Sequence, residues 1–355
     1  MREIINAIRL RPKRCVWELT AQCNMRCLHC ASGLGAGFSR GEELNTAESI
    51  RLCQELKALG CEYVVLSGGE VLLRPDWEII ARELADLDVV ASLITNGLLI
   101  TPTVARRIRG AGVRRVALSL DGREATHNYI RHHPGSYAVV GRACSLLREA
   151  GIPVNVVTHI NRLNLAELEA LETLLSGWGI EVWRLQLGAP VGRMKEHPEL
   201  CLVPGQLPAI ADFIVAAKQR GRVYVDVGDN IGYFSEHECA LRSGADTPLF
   251  GCWCGCSAGC LAIGIEANGN VKGCLSLQSE RFVEGNIRKE SLEAIWNRPG
   301  AFAYTREFTP SNLHGACAGC KWGEICRGGC TFMAFGAAGS PHDNPFCLYR
   351  VQGAP

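Results

Sequence analysis

Short apolar runs rich in Val, Ile and Leu alternate with amphipathic stretches through the first half of the chain. The apolar runs are 16–19, 63–66, 89–95, 115–120, 154–159 and 182–187. The helical patterns between them are 46–60, 77–87, 103–111, 139–150 and 165–178. Thr46 is expected to cap the first helix, because its side chain can accept backbone N–H bonds. Alternating strands and helices with short connections predict a parallel sheet buried on both faces.

Polar and glycine residues follow the predicted strands. The segment 67–70 (Ser-Gly-Gly-Glu) comes after the second strand, Asn96 after the third and Asp121 after the fourth. Because the carboxyl ends of parallel strands meet at one edge of a sheet, these residues are expected to share a ligand site. Further along, a helix at 207–220 and a strand at 223–227 are predicted without any assigned chemistry.

Composition argues against several classes of protein. The 355 residues are 47% hydrophobic and include 37 basic and 36 acidic side chains, so no global field favours nucleic acid or a membrane. The start MREIINAIRLRPKR carries charges where a signal peptide needs an apolar core, and no apolar run approaches the roughly 18 residues of a membrane span. The cysteine count, 19, is odd and high. It predicts a cytoplasmic, oxygen-sensitive protein whose cysteines are reduced and bind metal.

Three cysteines near the start, Cys23, Cys27 and Cys30, have the spacing Cys-x3-Cys-x2-Cys. Three thiolates can hold three irons of a four-iron cluster and leave the fourth iron open to a small molecule. A zinc site usually has four ligands in Cys-x2-Cys pairs, so it fits less well, and three unrelated buried cysteines are the other alternative. With the ring of His29 before the last cysteine, the motif resembles the radical S-adenosylmethionine (SAM) family. The resemblance implies that the open iron chelates SAM and that an electron cleaves it to methionine and a 5′-deoxyadenosyl radical.

The family resemblance also implies a fold and a set of SAM-binding residues. The expected fold is α/β, a partial (β/α)6 TIM-type barrel. The residues implied to bind SAM are Ser67, Gly68, Gly69 and Glu70 near its amino group, Asn96 beside them, Ser119 through its hydroxyl, Arg131 at its carboxylate, and His29 and Leu187 beside adenine. The usual proline after the glutamate is replaced by Val71. Several of these residues also fit plainer roles, such as a turn, a surface residue or a core leucine.

A second block of cysteines follows residue 251. It begins with Cys252, Cys254, Cys256 and Cys260, continues with two short strands about an Asn-Gly turn to Cys274, and ends with Cys317, Cys320, Cys326, Cys330 and Cys347. The later spacing, Cys-x2-Cys-x5-Cys-x3-Cys, and the Gly269-x4-Cys274 element resemble the SPASM extension of radical SAM enzymes. Two zinc ribbons are the alternative.

The SPASM resemblance implies two auxiliary clusters, and therefore three [4Fe-4S] clusters with SAM. Cys317, Cys320, Cys326 and Cys347 would hold one auxiliary cluster, and Cys274 and Cys330 would help to hold the other. The remaining ligands come from Cys254 with Cys260 or from Cys256, and the sequence does not choose. The expected domains are 1–200 (barrel), 201–250 (connection) and 251–355 (a small cysteine-rich α+β SPASM domain).

The expected function is hydrogen abstraction from a substrate C–H bond, with a ribosomally made peptide as the substrate and a crosslink or epimerisation as the outcome. Cys239 or Cys252 could donate hydrogen to a substrate radical. Sulfatase maturases carry an aspartate where this chain has Leu275, which argues against that activity. The alternatives are modification of a tetrapyrrole or another small molecule and, outside enzymes, a multi-cluster electron carrier. Glu70, Ser119 and Arg131 argue against the carrier.

The expected partners follow from the same resemblance. Only 22 residues precede Cys23, too few for a leader-binding domain, so a separate leader-binding chain or direct peptide binding is expected. A flavodoxin- or ferredoxin-type protein would supply electrons. No nucleic acid and no membrane are expected as partners.

Overall fold

A computed structural model describes residues 10–35, 37–243 and 252–353. All ten named strands within these ranges belong to one sheet, in the order β10-β9-β8-β1-β2-β3-β4-β5-β6-β7. The strands are β1 Arg14–Glu18, β2 Tyr63–Ser67, β3 Val90–Thr95, β4 Arg115–Ser119, β5 Val154–Ile160, β6 Val182–Leu187, β7 Tyr224–Val227, β8 Ala262–Ile265, β9 Asn270–Lys272 and β10 Gly285–Asn286.

Helices separate most of these strands. They are α1 Thr46–Ala58, α2 Trp77–Asp86, α3 Pro102–Gly110, α4 Glu124–Arg131, α5 Ser136–Glu149, α6 Leu168–Gly177, α7 Leu207–Arg220, α8 Glu238–Arg242, α9 Leu292–Asn297, α10 Ala303–Arg306, α11 Gly323–Cys326, α12 Thr331–Ala338 and α13 Leu348–Val351. Helix α1 begins at Thr46, as predicted, but its cap is Asn45. Asn45 and Glu48 exchange side-chain and backbone bonds of 2.9 and 2.8 Å, a capping box that leaves Thr46 free to bond Asp76 instead.

The predicted fold class is confirmed. Strands β1 to β6 are parallel neighbours in chain order, as an incomplete barrel requires. Strand β7 adds to β6, and β8 adds to β1 on the opposite side, both in parallel. Strand β9 returns antiparallel to β8 through a turn at Gly269, where φ is +88°. The hairpin of the second cysteine block therefore extends the barrel sheet, and the division at residues 200 and 250 stays a prediction.

Alternate strand residues face two environments. Leu66, Leu93 and Leu118 are completely buried, as expected for the face that the helices cover. Successive side chains of a strand point to opposite faces of the sheet, and paired residues of neighbouring strands point to the same face. Ser67 and Ser119, which follow Leu66 and Leu118, therefore point to the other face, the inside of the barrel. Both are the last residues of their strands. The sheet therefore directs two predicted SAM-binding hydroxyls into the barrel at its carboxyl edge.

One segment, 198–220, is long and apolar enough to cross a membrane by length and composition alone, with a mean hydropathy of 1.7. An apolar segment of such length was not predicted from the sequence. Its helix α7 buries Leu207, Ile210, Ala211, Ile214 and Ala217 in the protein core. One face of this helix therefore packs against the core, as in an amphipathic helix of a globular protein.

Replacing a buried residue of β3 tests the core. Leu93→Ala removes a fully buried side chain from a central strand, and we expect the free energy of unfolding to fall by about 2–5 kcal/mol. Val90→Ala on the same strand is the control, because Val90 is 38% exposed and should change stability by only about 0.5 kcal/mol. Anaerobic denaturant titration of the two variants measures both values. Equal losses would mean that β3 is not a central buried strand.

Candidate active site and cysteine groups

The first cysteine motif lies in the loop that follows β1. Arg193 holds this loop from the other side of the barrel, because its guanidinium donates to the carbonyls of Cys27 (2.8 Å) and Gly33 (2.7 Å). Burial raises the pKa of the Cys23 thiol to about 11, and the nearby Cys27 and Cys30 thiols add to the shift. The three thiols are therefore close enough to interact. Binding of metal cations would be needed to keep them deprotonated at neutral pH.

The Gly-Gly-Glu segment after β2 runs against the start of the cysteine loop. The N–H groups of Gly69 and Glu70 donate to the carbonyls of Thr20 (2.7 Å) and Gln22 (2.8 Å). A Cβ on Gly69 would lie 2.1 Å from the Gln22 carbonyl, and one on Gly68 would lie 2.5 Å from that of Thr20. Glycine is required at both positions, because any side chain would push the two backbones apart.

Glu70 and Asn96 tie the ends of β2 and β3 to the cysteine loop. The Glu70 carboxylate is 1% exposed and accepts bonds from the Thr95 hydroxyl (2.7 Å) and the Asn96 N–H (2.9 Å). Burial raises its pKa, while these hydrogen bonds act in the opposite direction. The Asn96 side chain donates to Asn24, between Cys23 and Cys27, at 2.8 Å. The structure thus brings two predicted SAM-binding residues to the cluster motif.

Arg131 lies beneath the same loop, where the sequence predicted a partner for the SAM carboxylate. Its guanidinium is 2.6 Å from the buried Asp121 carboxylate and 3.8 Å from the Cys27 sulfur. Burial by itself would raise the pKa of Asp121. Arg131 and the surrounding imidazoles outweigh this effect and hold the pKa well below its usual range. His29 is 3.4 Å from the same carboxylate. Arg131 therefore places a positive charge beside Cys27 of the first cysteine motif, and the buried Asp121 anion holds it there.

Two histidines near this pair were missed by the sequence analysis. His159, near the end of β5, packs edge-on against His29 with ring centroids 4.6 Å apart, and His127 accepts the Asp121 N–H at 3.0 Å. Burial lowers the pKa of each to about 4, so both imidazoles are neutral near pH 7. His159 pairs in register with Gln186 and shares the inner face with Ser119. This alternation along β5 was the available signal.

Leu187 occupies the end of β6 and is 2% exposed. Its backbone exchanges two hydrogen bonds with the Asn230 side chain, at 3.1 and 2.7 Å. Packing of Leu187 against adenine stays a prediction.

The second cysteine block forms two groups. In the first, Cys256 neighbours Cys260, Cys274 and Cys330, and burial together with Cys256 raises the pKa of Cys274 to about 11. In the second, the four members line a cavity of about 370 Å³. They are Cys317, Cys320, Cys326 and Cys347. Burial raises the pKa of Cys347 to about 11, and the nearby Cys317 and Cys320 thiols add to this shift.

The other cysteines singled out from the sequence are more accessible. Cys239 is exposed on α8, Cys254 is exposed, and Cys252 is partly buried. Burial raises the pKa of Cys254, and the adjacent Cys252 adds to that shift. The structure therefore groups Cys256 and Cys260 with Cys274 and leaves Cys254 beside Cys252.

The arrangement of the cysteine groups distinguishes a site for one metal ion from a site for an iron–sulfur cluster. Within the described ranges, no three Cys, His, Asp or Glu side chains converge as ligands of one metal ion must. A four-iron cluster makes no such demand, because each cysteine binds a different iron.

The polar surroundings fit such clusters. The buried donors Tyr304 Oη, Arg327 Nε and Asn344 Nδ2 have no partner among the described residues, a costly state unless a bound group accepts from them. Tyr304 lies near Cys256 and Cys274, and the Asn344 N–H donates to Cys317 at 3.4 Å. The sulfurs of a bound cluster would accept hydrogen bonds from such groups, so the donor set fits.

Two family models match in chain order. The model of the radical SAM superfamily matches residues 17–175, and that of the SPASM iron–sulfur cluster-binding domain matches residues 254–321. An AdoMet-dependent heme synthase of Methanosarcina barkeri is 30% identical over 96% of this chain and 97% of its own length. Mycofactocin maturase MftC of Mycobacterium tuberculosis is 32% identical over 93% of this chain and 80% of its own.

Solved structures share the fold. SuiB of Streptococcus suis bound to S-adenosylmethionine superposes with a TM-score of 0.74 at 15% identity, covering 97% of this chain and 78% of that one. The protein anSMEcpe with bound AdoMet gives a TM-score of 0.73 at 18% identity and covers 94% of both chains. At these identities the likeness concerns the fold alone.

Replacing Gly69 tests the SAM site. In Gly69→Ala the new Cβ must displace the Gln22 carbonyl, and we expect the dissociation constant for SAM to rise roughly tenfold or more, measured by anaerobic calorimetry. Gly110→Ala is the control, because a Cβ there meets no atom within 4 Å. Wild-type affinity in Gly69→Ala with full iron content would contradict the site.

The two matching models, the relatives that span nearly the whole chain and the fold all agree with the expectation from the cysteine motifs. SAM and iron–sulfur clusters are accordingly its cofactors. The chain is an enzyme of the radical SAM superfamily and carries a SPASM iron–sulfur domain.

Proposed function

We propose that this enzyme matures a ribosomally synthesised peptide by abstracting hydrogen from a C–H bond, with a crosslink or an epimerised residue as the product. The observation that carries the proposal is the 32% identity to mycofactocin maturase MftC over 93% of the chain. The structure of SuiB bound to its precursor peptide SuiA has the same fold, with a TM-score of 0.74. Leu275, where sulfatase maturases carry an aspartate, speaks against sulfatase maturation.

Cys23, Cys27 and Cys30 would hold the cluster that supplies the electron for cleavage of SAM to a 5′-deoxyadenosyl radical. Around it the chain's own residues bind and orient. Glu70 is a buried acceptor for the SAM amino group, and Ser119 presents a hydroxyl from the inner face. Arg131 offers its remaining N–H groups to the SAM carboxylate while its ion pair with Asp121 fixes its position.

Two auxiliary clusters complete the proposed set of three. Cys317, Cys320, Cys326 and Cys347 would hold one, supported by the cavity that they line. Cys256, Cys260, Cys274 and Cys330 would hold the other, supported by their mutual proximity. Cys254 is the alternative fourth ligand, and its exposure makes it the weaker choice.

The remaining parts of the proposal concern hydrogen, electrons and partners. Cys239 or Cys252 would return a hydrogen atom to the substrate in an epimerisation, and their accessibility supports this role. A flavodoxin- or ferredoxin-type protein would supply electrons in the cytoplasm. A separate chain would present the peptide leader, or the enzyme would bind the peptide directly.

Modification of a tetrapyrrole is the second candidate. The heme synthase of Methanosarcina barkeri favours it, because that relative aligns with this chain over 97% of its own length. The pre-heme d1 synthase of Dinoroseobacter shibae is 25% identical over 94% of this chain. Both candidates share the same radical chemistry and differ in the substrate alone.

Iron content tests the clusters. Anaerobic reconstitution should give about twelve irons per chain, falling to about eight when Cys23, Cys27 and Cys30 are replaced by alanine. Iron and sulfide assays measure both values, and Cys144→Ala is the control, since Cys144 lies on the buried face of α5 and belongs to none of the three cysteine groups. A total near four, or zinc in place of iron, would contradict the auxiliary clusters.

A reaction in heavy water identifies the substrate class. With a candidate peptide, SAM and reductant, epimerisation should add about one mass unit and crosslinking should remove about two, because the first takes up solvent deuterium and the second loses two hydrogens. Mass spectrometry reads both, and the triple alanine variant is the control. An unchanged peptide together with a modified porphyrin would transfer the assignment to the tetrapyrrole candidate.

A further inference from the structure

A buried ion network lies between β1 and the hairpin of β8 and β9. It consists of Glu18, Arg40, Glu266 and Lys272. Arg40 donates to Glu18 at 2.6 Å and is 3.2 Å from Glu266, which accepts from Lys272 at 2.6 Å. Both carboxylates and the ammonium are at most 1% exposed. Two positive and two negative charges balance, so every buried charge in the network has a partner.

Gln278 completes this network with its side-chain amide. Its Oε1 accepts from Arg40 at 2.8 Å. Its Nε2 donates to the Ser32 hydroxyl at 3.1 Å and to the Leu275 carbonyl at 2.6 Å. Both amide hydrogens and one lone pair are therefore in use, which fixes the orientation of the group.

The three partners belong to segments that carry cysteines of different groups. Ser32 lies two residues after Cys30, and Leu275 directly follows Cys274. Arg40 lies on the stretch that returns from the cysteine loop. One carboxamide thus connects the loop of the first motif to the segment of the first auxiliary group.

We propose that Gln278 is a positioning residue that sets the separation between the SAM-binding cysteine loop and the Cys274 segment. The inference rests on the proposed function in one respect, the assignment of Cys30 and Cys274 to two different clusters. Reactive groups have to be held within about 0.5 Å of their working positions, which needs side chains locked by further contacts. Arg193 fixes the loop through hydrogen bonds from the barrel side, and Gln278 does so from the SPASM side through its bond to Ser32.

Hydrogen exchange of the cluster-loaded protein under anaerobic conditions tests the bridge. In Gln278→Leu, amides of the cysteine loop and of residues 274–278 should exchange roughly tenfold faster, as the loss of about one net hydrogen bond per segment predicts. Gln54→Leu is the matched control, because Gln54 is on the exposed side of α1 and its side chain bonds Glu83. Exchange in both segments should stay at the wild-type rate in that variant.

A second variant separates the contacts. Gln278→Glu keeps an acceptor for Arg40 and can accept from the Ser32 hydroxyl, but it cannot donate to the Leu275 carbonyl. Exchange should therefore rise next to Leu275 and stay slow next to Arg40 and Ser32. EPR gives a second measurement. With the auxiliary clusters reduced, the microwave power that half-saturates the signal of the SAM-binding cluster should change in Gln278→Leu. It should stay at the wild-type value in Gln54→Leu.

Unchanged exchange in both segments, or a uniform rise across the whole sheet, would overturn the proposal. The iron content of the wild-type protein tests the proposed clusters separately from the role of Gln278. A wild-type protein without about twelve irons would refute the three clusters, whereas the exchange data would still decide whether Gln278 joins the two segments.

Discussion

The approach of the Gly68-Gly69 backbone to residues 20–22 is the contact on which the site depends. Strands β1 and β2 are parallel neighbours, with Glu18 opposite Ser67, so the loops that leave them run side by side. Two N–H···O bonds continue the pairing beyond the strand ends, at a distance that excludes any Cβ. The cysteine loop therefore starts from a rigid base. Glu70, next in the chain, extends the connection to the end of β3 through Asn96.

Paired buried charges are the second feature of this region. Asp121 is fully buried and survives as an anion because Arg131 neutralises it, and Arg131 in turn faces Cys27. The thiols differ from Asp121, because burial raises the pKa of Cys23 and Cys27 and keeps both groups protonated and uncharged. Cluster assembly must therefore displace protons from a site whose other charges are already balanced.

Sequence patterns predicted the repeated elements and missed the contacts that cross the fold. The strands followed from apolar runs, and the cysteine groups followed from the resemblance of the motifs to the radical SAM and SPASM families. Helix α4 escaped detection because Glu-Ala-Thr-His-Asn-Tyr-Ile-Arg is short and mostly polar, although it carries Arg131. The proximity of Cys256 to Cys274 could not be predicted from the sequence, because the chain path here passes through Gly255 and Gly259, both with positive φ. The ion network was invisible because residues over two hundred positions apart form it.

The sheet order explains how the two halves of the chain form one enzyme. Strand β8 lies against β1, the strand that leads into the first motif, so the hairpin that precedes Cys274 is part of the barrel sheet. The described sheet ends at β7 on one side and β10 on the other and is not closed. A closed eight-stranded barrel has an interior filled by side chains, whereas an open one leaves a lateral gap. The pairing of β8 with β1 thus places the hairpin that leads to Cys274 next to the strand that leads to Cys23, which explains how residues far apart in the sequence reach one region of the fold.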